Sequence, residues 1–168
     1  MKIINLSSLN GSNGFRLDGG TEGNSSGASV SNAGDVNGDG FDDVLIGAPR
    51  ANPANFFNGS TYLVFGKATG FSAEVNLSSL DGSNGSRLDA GRADDNGVFS
   101  GTAISTAGDV NGDGLDDMII GAGGYGFDHP LGISYVVFGR TSTFGAAFAL
   151  AELDGKSGFF IGPGGNYS

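Results

Sequence analysis

The segment GDVNGDGFDDVLIGAP, residues 34–49, places four aspartates within nine residues and continues directly into an apolar run. A nearly identical segment, GDVNGDGLDDMIIGAG, occupies residues 108–123, 74 positions further along the chain. Two copies of an Asp- and Gly-rich turn, each followed by a short aliphatic stretch, indicate an internal repeat. The repeat decides the fold, and the crowded carboxylates raise the question of what neutralises them.

The repeat extends over the rest of the chain. NLSSLNGSNGFRLDGG (5–20) returns as NLSSLDGSNGSRLDAG (76–91), and STYLVFGK (60–67) returns as ISYVVFGR (133–140). A third copy of the opening segment is LDGKSGFFIGPGG (153–165). We therefore predict one unit over residues 1–168, with a copy of the repeat's last strand at 1–20 and two repeats of about 73 residues at 21–91 and 92–165.

Each repeat contains four short candidate strands. The first candidate strand, at 28–36, alternates apolar and small polar residues. The second, at 43–48, is aliphatic, the third, at 60–65, is aromatic or β-branched, and the fourth is a segment of the type GFRLDG. Gly, Asn, Asp and Pro separate the four. No window keeps a helical apolar period, and the Ala-rich segment 144–153 is predicted to be loop or strand edge. This pattern predicts an all-β fold of β-propeller blades with four antiparallel strands each. A β-sandwich is the alternative, although sandwiches seldom show near-identical repeats.

The predicted strand order is 4-1-2-3-4-1-2-3-4, with one fourth strand in surplus. Propellers close a ring with roughly four to eight blades, so two blades leave sheet faces and edges open to association. We therefore expect a six- or seven-bladed propeller, formed either with the remainder of a longer propeller or by a homo-oligomer. Three copies would supply six blades.

Composition excludes several classes of function. The net charge of −10 provides no basic surface for nucleic acid or for an anionic membrane. No apolar run approaches the roughly 20 residues of a membrane-spanning helix, and the start MKIINLSSLN lacks the features of a secretory signal. The absence of cysteine excludes disulfides and thiol chemistry.

The spacing of oxygen-bearing residues in the acidic turns is typical of a calcium loop. Asp35, Asn37, Asp39 and Asp43 occupy positions 1, 3, 5 and 9, and Phe41 can offer its backbone carbonyl at position 7. Calcium takes six to eight hard oxygen ligands, whereas zinc and copper prefer His or Cys. We predict one calcium ion per turn and two per chain. The alternative is a simple acidic hairpin turn, since Asp, Asn and Gly are ordinary turn residues. The corresponding candidates in the second turn are Asp109, Asn111, Asp113, Leu115 and Asp117.

The flanking sequence narrows the kind of calcium motif. A helix–loop–helix calcium hand has Glu at position 12, where this chain has Ile46 and Ile120. The stretches GASVSNAGDVNGDGFDDVLIGAP (27–49) and GTAISTAGDVNGDGLDDMIIGAG (101–123), each followed by a strand ending in Phe-Gly, resemble the FG-GAP repeats of integrin α-subunit propellers and of secreted bacterial proteins. The resemblance implies that each turn joins strands 1 and 2 of a blade and binds one calcium ion through the residues named above. One departure is Gly123, where the family has proline.

The resemblance also implies a non-catalytic protein at the cell surface or outside the cell, with a role in adhesion or in binding a protein or carbohydrate ligand. No nucleophile–base arrangement is visible in the sequence. The alternative is the accessory propeller of an extracellular hydrolase. The lone His129 and the adjacent Asp94 and Asp95 are expected to lie in solvent-facing loops. Variable connections carry four aromatic candidates for partner contacts: Phe56, Phe57, Tyr125 and Phe127.

Overall fold

A computed structural model describes residues 5–51, 58–90, 98–123 and 132–162. Within these ranges the chain forms short strands and three single 3-10 turns, at Leu6–Ser8, Leu77–Ser79 and Leu150–Glu152. The strands are β1 (Arg16–Asp18), β2 (Ser29–Gly34), β3 (Asp43–Ala48), β4 (Ser60–Val64), β5 (Glu74–Asn76), β6 (Gly85–Asp89), β7 (Ser100–Gly108), β8 (Asp117–Ala122), β9 (Ile133–Val137), β10 (Ala147–Ala149) and β11 (Gly158–Ile161).

Two antiparallel meanders form the body of the molecule. Strands β2, β3, β4 and β6 pair in that order and are called blade one. Strands β7, β8, β9 and β11 pair in the same order and are called blade two. Equivalent registers, such as Leu45 opposite Leu63 and Ile119 opposite Val136, relate the two sheets. The predicted all-β fold of four-stranded, propeller-type blades is confirmed.

A parallel strand that the sequence did not predict joins the two blades. β10 lies between the third and fourth strands of blade two, yet it pairs in parallel with β6 of blade one, so that sheet has five strands rather than four. β10 falls within segment 144–153, predicted to be loop or strand edge. Its three residues are too few to show a period of two in the sequence. The pairing ties the repeats together through main-chain hydrogen bonds.

The surplus fourth strand is β1. It pairs in parallel with β5 as β6 pairs with β10. Phe15 stacks on Phe71 with ring centroids 4.1 Å apart, and Arg16 Nη2 lies 2.9 Å from Glu74 Oε1. The N-terminal segment therefore occupies the place of the last strand of a blade that would precede blade one.

Side chains alternate between two apolar layers. Leu45 and Leu63 of blade one are fully buried in a cluster with Met118, Ile120 and Val137 of blade two. On the opposite side of blade one, a second cluster contains Ile46, Tyr62, Val64 and Leu77, with Leu17 packed against it. Neighbouring residues such as Leu45 and Ile46 belong to different layers, because successive side chains of a strand point to opposite faces. The first layer contains residues of both blades and therefore joins them.

Gly47 marks a close approach of the two blades. A Cβ atom at this position would overlap the carbonyl oxygen of Gly101 in blade two and the hydroxyl of Ser29. At the equivalent Gly121, the nearest neighbours of a Cβ atom would be atoms of Ala103, 3.4 Å away, which is ordinary van der Waals contact. The two positions thus share a place in the repeat but differ in their surroundings.

The Gly47→Ala variant is expected to be destabilised by about 1–3 kcal/mol, because an extra methyl group at a close contact forces the blades apart. The matched Gly121→Ala variant is expected to unfold at the same or a slightly higher denaturant concentration, because alanine restricts the unfolded chain. Urea denaturation of both variants at low protein concentration checks the difference. Equal destabilisation by the two substitutions would contradict this account of the blade contact.

Candidate metal centre

The two acidic turns are hairpin connections at the same end of the blades. Residues 35–43, called loop one, lead from β2 into β3, and residues 109–117, called loop two, lead from β7 into β8. The register shifts by one residue where each loop leaves its strand, between Asn32 and Gly34 and between Thr106 and Gly108. Both loops therefore occupy the strand 1–2 position that the sequence predicted.

The first aspartate organises loop one. Asp35 Oδ1 accepts hydrogen bonds from the backbone N–H groups of Gly38 (2.8 Å) and Asp39 (3.0 Å), and Oδ2 accepts one from Gly40 (2.9 Å). Gly38 and Gly40 have φ angles of +75° and +88°, in the left-handed region that glycine adopts without steric cost. The chain therefore winds around the Asp35 carboxylate.

The middle of loop one is held by Asn37 and Asp39. Asn37 Oδ1 accepts from the Asp39 N–H at 2.8 Å, and its amide nitrogen donates to Asp39 Oδ2 at 3.0 Å. Asp39 Oδ1 accepts from the Phe41 N–H at 2.9 Å. Asp39 is exposed to solvent and Asp35 is partly exposed, so a cation could approach these two carboxylates from the solvent side.

Loop two repeats this pattern bond for bond. Asp109 accepts from the N–H groups of Gly112, Asp113 and Gly114 at 2.7–3.0 Å. Asn111 contacts Asp113 at 2.8 Å between side chains, and Asp113 accepts from the Leu115 N–H at 2.9 Å. The same sequence therefore produces the same local structure twice.

The last candidate of each loop has a second role that the sequence did not predict. Asp43 is fully buried, and its oxygens accept from the N–H groups of Val36 (3.1 Å) and Gly66 (2.8 Å). Asp117, equally buried, accepts from Val110 (2.7 Å) and Gly139 (2.8 Å) in the same way. Each carboxylate thus ties its loop to the Phe-Gly corner after the third strand. The recurrence of the Phe-Gly pair was the only sign of this contact in the sequence.

Burial of Asp43 affects its ionisation. The pKa of Asp43 is raised to about 7, mainly by desolvation and also by the nearby negative charges of Asp39 and Asp35, while the hydrogen bonds from Gly66 and Val36 lower it. Burial therefore disfavours the charged form of this carboxylate, and a bound cation would favour it.

The predicted ligands of each loop are of the chemical type that a hard cation such as calcium prefers. Each loop supplies three carboxylates, one side-chain amide and one backbone carbonyl, and all of these donors are oxygen. In the part of the chain that the structure describes, no three His, Cys, Asp or Glu side chains converge so as to hold a metal ion by themselves. Asp35, Asn37 and Asp39 are in direct contact, whereas Asp43 bonds Val36 and Gly66 at the base of the loop.

Asp116 connects the two loops across the blade interface. Its Oδ2 accepts from the backbone N–H of Asp35 at 3.0 Å, and its own N–H donates to the Asp35 carbonyl at 3.2 Å. Asp116 lies between two predicted ligands of loop two and holds the main chain of the first predicted ligand of loop one. The equivalent residue, Asp42, is exposed, and its carboxylate lies 3.5 Å from the Asn32 amide in its own blade. Sequence reasoning missed this contact because it depends on how the blades pack.

Several sequence candidates lie outside the described residues, namely Phe56, Phe57, Asp94, Asp95, Tyr125, Phe127 and His129. Over the ranges that are described, no helix is both long and apolar enough to span a lipid bilayer.

Comparison with known proteins places the loops in a family context. The model of the FG-GAP repeat matches residues 26–64 and 100–137, and each match contains one acidic loop with the strands on either side of it. Integrin alpha-PS5 from Drosophila melanogaster is 32% identical over 101 residues, which is 58% of this chain but only 9% of the integrin. The chain thus spans only a small part of the length of this integrin.

Proposed function

Since the chain carries two FG-GAP repeats related to those of an integrin α subunit, we propose that it is a calcium-binding propeller module without catalytic activity. Loop one would hold one calcium ion through Asp35, Asn37, Asp39, Asp43 and the Phe41 carbonyl. Loop two would hold a second ion through Asp109, Asn111, Asp113, Asp117 and the Leu115 carbonyl.

The observation that carries the proposal is the duplicated loop geometry. Two loops 74 residues apart wind around their first aspartate with the same hydrogen bonds, and both present only oxygen donors. Together the loops hold eight of the 18 acidic residues of a chain with net charge −10. Negative charges crowded into a short loop repel one another, so two calcium ions would relieve the repulsion.

Calcium in this setting is structural. It would fix the turn between the first two strands and, through Asp116, the contact between neighbouring blades. Calcium is abundant outside cells, and a chain without cysteine has no disulfides to stabilise it there. We propose an extracellular or cell-surface location, with adhesion or binding of a protein or carbohydrate ligand at the propeller surface as the biological role.

Native mass determination in calcium tests the proposal, and the expected result is two ions per chain. The Asp39→Ala variant is expected to bind one ion, because the fifth-position ligand of loop one is gone. The matched control is Asp42→Ala, which removes an exposed carboxylate of the same loop that is not a predicted ligand, and it should still bind two. A wild-type chain that binds no calcium, or equal loss in both variants, would refute the proposed sites.

A further inference from the structure

Each blade has two faces, and only one face of each is covered by the other blade. The face of blade two that points away from blade one is called the leading face, and it includes Val110, Ile119, Gly121 and Ile161. The face of blade one that points away from blade two is called the trailing face, and it includes Val30, Val44 and Ile46. Strand alternation fixes these assignments, because alternate residues contribute to the inner cluster.

The leading face repeats a surface that is buried inside the molecule. Val36 and Leu88 of blade one are fully buried against blade two, with 0% exposure each. Their equivalents in blade two are Val110 and Ile161, which are 52% and 58% exposed. Large apolar side chains at corresponding positions are thus buried where a neighbouring blade is present and exposed where none is.

The trailing face shows the complementary pattern. Val30 is 69% exposed, whereas its equivalent Ile104 packs against the cluster between the blades. Val44 is half-buried, whereas its equivalent Met118 is fully buried. The leading face and the exposed part of the trailing face, at Val30 and Val44, are therefore copies of the two sides of the chain's own internal interface. The rest of the trailing face, including Ile46, is already buried in the cluster against which Leu17 of β1 packs.

Gly121 provides an independent observation. Its φ angle is not in the left-handed region, so no backbone requirement explains glycine there. Glycine in the middle of a strand costs roughly 0.5–1 kcal/mol relative to alanine. The equivalent Gly47 is needed because the backbone of Gly101 in the next blade touches it, while nothing comes closer than 3.4 Å to a Cβ atom at Gly121. Glycine at 121 therefore leaves room for a neighbouring backbone that the described residues do not supply.

Two further contacts at the interface show the same pattern, in which a position is covered where a neighbouring blade is present and open where none is. Gly82, at the tip before the fourth strand of blade one, lies against the backbone of Gly145 in blade two, and Gly155 is the open equivalent with nothing within 4 Å. Asp116 contacts Asp35 across the interface, and its equivalent Asp42 is exposed on the trailing side.

We propose that the leading face binds the trailing face of a second copy of this chain, head to tail, in the geometry that its two blades already have. This inference rests on the propeller-module part of the proposed function and does not depend on calcium. A head-to-tail contact leaves one leading and one trailing face free, so further copies can add, and the assembly ends as a ring where the rotation between copies closes.

Docking in this geometry has a consequence for the surplus strand. β1 of the incoming copy and β11 of the receiving copy are the same strand of the repeat, and both would occupy the place beside β9. Arg16 on β1 keeps its 2.9 Å ion pair with Glu74 only if β1 stays on β5. The corresponding residue of β11 is Phe160, which has no charge to offer Glu74. β11 is therefore the strand that leaves, and backbone amides of 158–161 lose hydrogen-exchange protection on association. Ile161 leaves the leading face with β11, and Leu17 of the incoming β1, its equivalent in the repeat, takes its place.

Complementation between two variants tests the proposal. Val110→Asp places a charge on the leading face, and Val30→Asp places one on the trailing face; both side chains are more than half exposed, so the fold should tolerate the changes. Each variant alone is expected to sediment as a monomer, whereas an equimolar mixture forms a one-to-one dimer through the remaining intact faces. The wild-type chain is expected to associate with rising concentration.

Gly121→Ala is the second variant, because it leaves the monomer intact. It is expected to weaken self-association at least tenfold with an unchanged melting temperature in dilute solution. A wild-type chain that stays monomeric at all concentrations, a mixture that does not dimerise, or undiminished association of Gly121→Ala would each overturn the proposal. Association is measured with and without calcium, and ions are counted separately. Failure of docking and failure of calcium binding are thus distinguishable.

Discussion

Removing calcium with a chelator is expected to lower the melting temperature of this chain by about 5–10 °C for each ion lost. A ligand that binds only the folded state stabilises it by about 2.7 kcal/mol when its concentration is a hundred times Kd. For a chain of this size, 1 kcal/mol corresponds to roughly 2–4 °C. Differential scanning calorimetry at a fixed, low protein concentration measures the shift.

Two controls separate calcium from general ionic effects. Magnesium at the same concentration is expected to restore little of the lost stability, because it demands a tight octahedron and keeps its waters. Potassium chloride at matched ionic strength should restore even less. An identical melting curve in chelator and in calcium would contradict a structural role for the ions, whatever the ion count.

Fold prediction from the sequence succeeded wherever repetition supplied the signal. The near-identical segments at 33–49 and 107–123 predicted the hairpins β2–β3 and β7–β8, and the Phe-Gly segments predicted β4 and β9. The parallel strands β5 and β10 were missed for a physical reason. Three residues contribute too little periodicity, and their partners belong to the preceding blade, so no local pattern indicates them.

In the candidate loops, too, local features could be predicted from the sequence and contacts between blades could not. The sequence predicted a turn between two strands at residues 35–43, and the structure has that turn. The spacing of Asp35, Asn37 and Asp39 predicted calcium ligands, and this stays a prediction. The inter-loop role of Asp116 depends on blade packing and could not be found locally. The result is a direct physical connection, in which loop two holds the main chain of loop one.

The double role of the buried aspartates leads to a substitution experiment with a large expected effect. Asp117→Ala is expected to destabilise the calcium-free chain by about 1–4 kcal/mol, because the N–H groups of Val110 and Gly139 each lose their partner. The Gly139 donor is buried and the Val110 donor is partly buried, and an unpaired buried donor costs about 1–3 kcal/mol. Urea denaturation in chelator measures this loss without any contribution from the ion.

Asp113→Ala is the matched control, because Asp113 belongs to the same loop and to the same predicted ligand set but is exposed. In chelator its loss should be within about 1 kcal/mol, since the N–H of Leu115 can turn to water instead. In calcium, Asp113→Ala should additionally lose the gain from the loop-two ion, and Asp117→Ala should lose that gain on top of its large loss in chelator. If both variants were equally stable in chelator, the buried carboxylate would not anchor the Phe-Gly corner. A calcium effect of wild-type size in Asp113→Ala would remove Asp113 from the ligand set. The pair of substitutions therefore separates the structural role of an aspartate from its role towards the ion within a single loop.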